Sequence, residues 1–159
     1  MLGKKEDQLL SPATGECVSL SAIPDEVFSE GMLGNGFGVQ PSTGEICAPI
    51  DGRVESVAEA KHAYTILSDN GLDVLIHVGV DTVGLGGVGF APRVIEGQRI
   101  RAGEALASVD LDVIRNQGLS DTVAVIVTNS ERITNIEYSY GACVAGKHVA
   151  MRFRTVKKG

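Results

Sequence analysis

The chain has 159 residues, about one domain, able to bury roughly 70% of its unfolded surface without disulfide or metal staples. Its 43% hydrophobic and 21% charged content is ordinary for a globular protein, and 20 glycines among frequent Val, Ile and Thr favour strands and turns over long helices. A net charge of −6 without clustered Lys and Arg excludes a nucleic-acid footprint, and no segment approaches the roughly 18 apolar residues of a membrane span or forms an export signal.

Residues 1–10 read as a short charged lead with Lys4, Lys5, Glu6 and Asp7. Beyond it, strands are predicted over Glu16–Leu20, Gly36–Gln40, Glu45–Ala48, Gly52–Ala58, Ala63–Ser68, Leu72–Val78, Ala105–Val109, Thr122–Val127 and His148–Phe153. Turn clusters such as Pro41-Ser42-Thr43-Gly44, Asp51-Gly52 and Ala102-Gly103 separate them. Two short helices are predicted: Pro24–Ser29, opened by its proline, and Leu111–Gln117, with Asp110 as N-cap and Gly118 as stop. Nothing marks a linker, so residues 1–159 are expected to form one all-β domain. Its expected fold class is an antiparallel β-sandwich or barrel with one or two short helices. Cys17, Cys47 and Cys143 are odd in number and widely spaced, which predicts buried free thiols in a cytoplasmic protein.

The segment from His62 to His77 has apolar arms around Ser68-Asp69-Asn70-Gly71, the pattern of a β-hairpin. A two-residue loop at Asp69-Asn70 puts His62 directly opposite His77, and one at Asn70-Gly71 puts them on a diagonal. Either register places both imidazoles on one sheet face, roughly 5–8 Å apart at Cβ. A three-residue loop would break that parity unless a bulge restored it.

Several chemistries could use such a pair. Gly84-Leu85-Gly86-Gly87-Val88-Gly89 matches GxGxxG, with Asp110 downstream. A dinucleotide site needs a helix beginning inside the motif, and Pro92, Gly97 and Gly103 interrupt one. The glycines therefore read as a flexible loop. A zinc site would need a third ligand, for which Asp81 is nearest and His148 distant, and no HExxH, HxH or Cys/His cluster is present. No cofactor or dedicated metal is expected, with His62 and His77 as incidental zinc ligands at most, and His148 reads as a hydrogen-bonded structural residue. No GxSxG elbow is present. What fits is a histidine nucleophile attacking phosphorus, with a second imidazole donating to the phosphoryl oxygens.

The motifs LIHVGVDTVGLGGVGF, KHAYTI, ICAPIDGRV and VIEGQRIRAGEAL, the last followed by Asp110, resemble the glucose-type enzyme IIA of the bacterial phosphoenolpyruvate-dependent sugar phosphotransferase system over residues 11–154. The resemblance implies a phosphotransferase component that carries phosphohistidine in an antiparallel β-sandwich. His77 corresponds to the residue phosphorylated at Nε2 by HPr, which then passes the group to a cysteine of enzyme IIB. His62 corresponds to the second active-site histidine, which supports the phosphoryl group. Phe28, Leu33 and Val83 fall on the family's apolar partner surface, with Asp81 at its acidic rim; for Phe28, packing in the core is the plain alternative. The family also includes regulators that bind transporters or metabolic enzymes according to phosphorylation state. Two departures stand out: Ala60 where many members carry a threonine that orients the first histidine, and Glu26 where an apolar residue is common.

Overall fold

The computed structural model describes residues 4–156. In chain order the strands are β1 (Lys4–Leu10), β2 (Gly15–Ser19), β3 (Asn35–Pro41), β4 (Glu45–Cys47), β5 (Gly52–Val57), β6 (Ala63–Ser68), β7 (Asp73–Val78), β8 (Phe90–Pro92), β9 (Arg99–Ile100), β10 (Ala105–Val109), β11 (Val123–Val127), β12 (Ile133–Tyr138), β13 (Gly141–Cys143) and β14 (Val149–Val156). Two helices, α1 (Glu26–Ser29) and α2 (Leu111–Asn116), are each barely more than a turn. Asp25 caps α1 by accepting from the Val27 amide, and Asp110 caps α2 by accepting from the Asp112 amide.

The strands form an eight-stranded sheet, β13-β2-β3-β11-β7-β6-β5-β9, and two three-stranded sheets, β1-β14-β12 and β4-β10-β8. Every pairing is antiparallel. The architecture is the antiparallel β-sandwich expected from the sequence. Its main core packs Tyr64, Ile66, Val74, Ile76 and Val78 of β6 and β7 against Leu9, Ile46, Leu106 and Phe153 from the smaller sheets. Among the described residues no helix is long and apolar enough to cross a membrane.

β11 explains where the site lies. Its sequence Val-Ala-Val-Ile-Val is buried on both faces. Val123, Val125 and Val127 enter the main core, while Ala124 and Ile126 point the other way into a second cluster with Leu20, Ile23, Phe28 and Val80. A strand without polar alternation is what two covered faces demand. The small cluster anchors the segment containing α1 on the outer face of the large sheet.

Several expectations are corrected. Residues 4–10 are not a lead but strand β1, paired along its length with β14. Its charges disguise it because it is an edge strand with solvent beside it, and among the described side chains of the strand Leu9 alone reaches full burial. Strands β8, β9, β12 and β13 were absent from the sequence reading; β8, β9 and β13 are too short to show a period. In β12, Asn135 takes a left-handed φ of 55° and the pairing with β14 shifts register, which breaks the alternation.

The β6–β7 hairpin also differs. Ala63 pairs with His77 and Leu67 with Asp73, so the turn carries one residue more than either two-residue loop. Gly71 takes a left-handed φ of 83°, and the Leu72 amide donates to Ser68 Oγ at 2.9 Å. Asp69 is drawn outward into a two-pronged ion pair with Arg99, at 2.7 and 2.8 Å. A glycine at the left-handed position closes a three-residue hairpin turn. The parity argument for the histidines therefore fails at its premise.

The glycine-rich stretch is a loop. Gly86, Gly87 and Gly89 have φ of 60°, 92° and 87°; a 3-10 turn over Thr82–Leu85 runs into it and β8 follows. The three cysteines are free and buried, with burial pushing the thiol of Cys17 up to about 12 and that of Cys47 to about 11.

Candidate functional site

His77 is the penultimate residue of β7, on the face opposite the main core. Its neighbours across both ladders are alanines, Ala63 on β6 and Ala124 on β11, whose short side chains leave room beside an imidazole. The chain then turns sharply. Gly79 takes φ 80°, and a Cβ there would lie 2.4 Å from Thr82 Cγ2, so glycine is required. Thr82 is fully buried, and its hydroxyl donates to the Val78 carbonyl at 2.6 Å. The Gly79 amide donates to the Thr122 carbonyl at 2.9 Å.

So held, the Gly79 carbonyl accepts a hydrogen bond from His77 Nδ1 at 2.8 Å. This contact specifies the Nδ1–H tautomer and leaves Nε2 with a free lone pair. Burial and the neighbouring His62 lower the His77 pKa, opposed by the Gly79 contact and by the charges of Asp25 and Asp81. Burial also lowers the His62 pKa. Both rings are thus biased toward the neutral form, the one that can act as nucleophile.

His62 meets His77 although the register does not predict it. The Val78 amide donates to the His62 carbonyl at 2.8 Å, so His62 lies opposite Val78, one step from His77. It precedes β6, and the residue before it, Lys61, takes a left-handed φ of 65°. Strand alternation therefore no longer governs where its side chain goes. The two rings lie edge to face, with centroids 4.9 Å apart and an interplanar angle of 85°. His62 is 8% exposed, and its Nδ1 is a buried polar atom with no hydrogen-bond partner among the described residues.

On the other side stands Phe28, its ring centroid 5.1 Å from that of His77 at 58°. Phe28 is only 6% exposed: it walls the imidazole and roots α1 in the second cluster. Leu33, Asp81 and Val83 are exposed, as are Val27, Met32 and Val88 on the same two segments. His148 lies apart from this group, pairing through Nε2 with the Ser139 carbonyl at 2.7 Å. Among the described residues no group of three or more His, Cys, Asp and Glu is placed to hold a metal ion.

Two participants escaped the sequence reading. Gly79 contributes only backbone, and its one signal was a glycine two residues beyond a candidate histidine. Asp25 acts electrostatically on His77 while capping α1; an Asp preceding an amphipathic turn signals a cap but not the histidine it faces.

The arrangement can carry a group on Nε2 of a neutral histidine, flanked by a second imidazole able to donate a hydrogen bond. Comparison with known proteins identifies the family. Residues 7–133 match the family model described as phosphoenolpyruvate-dependent sugar phosphotransferase system, EIIA 1. The fold is similar to the solved structure of glucose permease IIA from Mycoplasma capricolum, with a TM-score of 0.87 and 34% identity over 92% of this chain and 96% of that one.

Proposed function

Because the chain belongs to the glucose-type EIIA family of the phosphoenolpyruvate-dependent sugar phosphotransferase system, we propose that its phosphocarrier role is performed at His77, with His62 as the supporting group. The observation that carries this reading is the bond from His77 Nδ1 to the Gly79 carbonyl, which leaves Nε2 as the reactive nitrogen beside the His62 ring.

In the first step His77 Nε2 attacks the phosphorus of phosphorylated HPr. The nitrogen–phosphorus bond of the donor breaks, the donor imidazole leaves with the electron pair, and a new bond forms at Nε2. Since Nδ1 keeps its proton for Gly79, the phosphorylated ring is an imidazolium, a good leaving group. In the second step a cysteine thiolate of enzyme IIB attacks phosphorus and Nε2 recovers its pair. His62 donates to the phosphoryl oxygens, over which charge is spread in both transition states. An open site suits a carrier that reacts with two proteins in turn: exposed Val27, Met32, Val83 and Val88 supply apolar contact, and Asp25 and Asp81 would steer basic partners. On this reading the chain works as a single domain in the cytoplasm.

Labelling with radioactive phosphoenolpyruvate, enzyme I and HPr tests the assignment. His77→Ala should take no label; His62→Ala should be labelled but pass little to enzyme IIB. Undiminished labelling of the His77 variant refutes the reading. The exposed apolar side chains around the phosphorylation site also favour a regulatory role, in which transporters or metabolic enzymes bind one phosphorylation state. Co-purification with each state distinguishes the two.

A further inference from the structure

A phosphoryl group on His77 would bring two negative charges toward Asp25 and Asp81, whose fields already act on this imidazole. Sites that move phosphoryl groups offset such charge with a cation; the His77 ring becomes cationic only once it holds the group, and neither neutral imidazole brings a positive charge to meet it as it arrives. Lys61 carries a positive charge on the turn that precedes His62.

Three observations single it out. First, Lys61 has φ 65°, a left-handed conformation that costs a side chain with a Cβ about 1–2 kcal/mol. The turn between β5 and β6 needs that conformation: the Lys61 amide donates to the Ala58 carbonyl at 2.8 Å and the Ala58 amide to the Ala63 carbonyl at 2.9 Å. Glycine or asparagine would meet the need with less strain, so turn geometry accounts for the backbone but not for the lysine. Second, the strain is held from beneath. Tyr64, fully buried, donates its hydroxyl to the Lys61 carbonyl at 2.9 Å. Third, the stem of Lys61 lies on Gly87, with Cδ 3.3 Å and Cε 3.7 Å from where a Cβ would stand. It thereby spans from the turn before His62 to the loop after His77. The residue is exposed, and none of the ion pairs among the described residues uses it.

From this placement we propose that Lys61 is the cation that binds the phosphoryl oxygens during transfer to and from His77, its strained backbone aiming the ammonium group along the rim between the two histidine-bearing segments. The inference rests on the reading of His77 as the phosphorylated residue. It adds what that reading lacks: a positive charge fixed to the same turn that delivers His62.

Substitution at this exposed position separates charge from structure. Lys61→Met keeps the stem and removes the charge; Lys61→Arg keeps the charge. With full-length protein and phosphorylated HPr, Lys61→Met should accept phosphate roughly ten-fold more slowly and shift the phosphoryl equilibrium toward HPr, while Lys61→Arg stays within about two-fold of the parent. The melting temperatures of all three should coincide. A second measurement does not depend on the reaction: titration with inorganic phosphate, followed by the histidine ring resonances, should be several-fold weaker in Lys61→Met only. If the parent is not phosphorylated but phosphate binding still depends on residue 61, the reading of His77 fails and the cation site stands. If His77 is phosphorylated and Lys61→Met matches the parent in both measurements, the proposal for Lys61 is overturned.

Discussion

The carbonyl of Gly79 lies 2.8 Å from Nδ1 of His77, so the imidazole is oriented by the turn it opens into, two residues further along its own chain. A contact so local survives only if the turn keeps its shape, and that shape depends on a missing side chain. Gly79→Ala should therefore do more than strain the backbone. Its Cβ would meet Thr82 Cγ2 at 2.4 Å and the Ser120 carbonyl oxygen at 3.0 Å, and relieving both must move the carbonyl. We expect a loss of about 2 kcal/mol or more in stability and slower labelling of His77 even in the folded fraction. Denaturant titration combined with rapid labelling checks both.

The pH dependence has a definite sign. The folded state lowers the pKa of both His62 and His77, so just below the ordinary imidazole value the unfolded chain binds more protons than the native one. The associated stability is fully present above that value and is lost as pH falls through the two lowered ones. Phosphate acceptance by His77 should stay level through neutrality and fall only below the ordinary imidazole value. Ring-resonance titration against a free-histidine standard provides the comparison; a raised value for His77 would contradict the structure.

His62 Nδ1 is buried without a hydrogen-bond partner among the described residues, and Ala60 stands two residues earlier, where the family resemblance leads one to expect a threonine. Ala60→Thr should supply a hydroxyl that donates to this nitrogen, leaving the proton on Nε2. The expected gain is about 1 kcal/mol of stability, a single tautomer in nitrogen-detected spectra of His62, and faster onward transfer to enzyme IIB.

Phe28 and Val83 make a diagnostic pair, because one is 6% and the other 60% exposed. Phe28→Ala removes the wall beside His77 and should cost about 3 kcal/mol, with slower phosphorylation by every donor. Val83→Asp should leave the melting temperature unchanged yet weaken partner docking, raising KM for phosphorylated HPr. A small-molecule phosphodonor separates the two: it should feel the loss of Phe28 and ignore the change at Val83.

How far these features were legible in the sequence depended on the physical signal behind each. β6 and β10 were predicted with their observed bounds, since apolar side chains recur along both and turn residues flank them. The cap of α2 was legible from Asp110 for the same local reason. The strand β1 was hidden by its charges. The hairpin register was misjudged because Gly71, with its left-handed φ, belongs to the turn. Most instructive is the meeting of His62 and His77, expected from a parity that does not exist. It depends on a conformation at Lys61 that no periodicity encodes, and the unequal roles of the two rings followed from resemblance to a family. The contact that distinguishes His77, a backbone carbonyl, has no side chain through which sequence could announce it.

The six-residue cluster under α1, Leu20, Ile23, Phe28, Val80, Ala124 and Ile126, has a consequence for motion. It is separate from the main core, so the segment around α1 can detach without disturbing the sandwich, at a free-energy cost set by a handful of side chains. Amide hydrogens of residues 26–31 should then exchange through sub-global opening, while those of β7 and β11 wait for global unfolding. The wall beside the reactive imidazole would thus be hinged to a rigid frame: under the proposed function, a carrier that fits two partners in alternation would hold its chemistry still and let its contact ridge adjust.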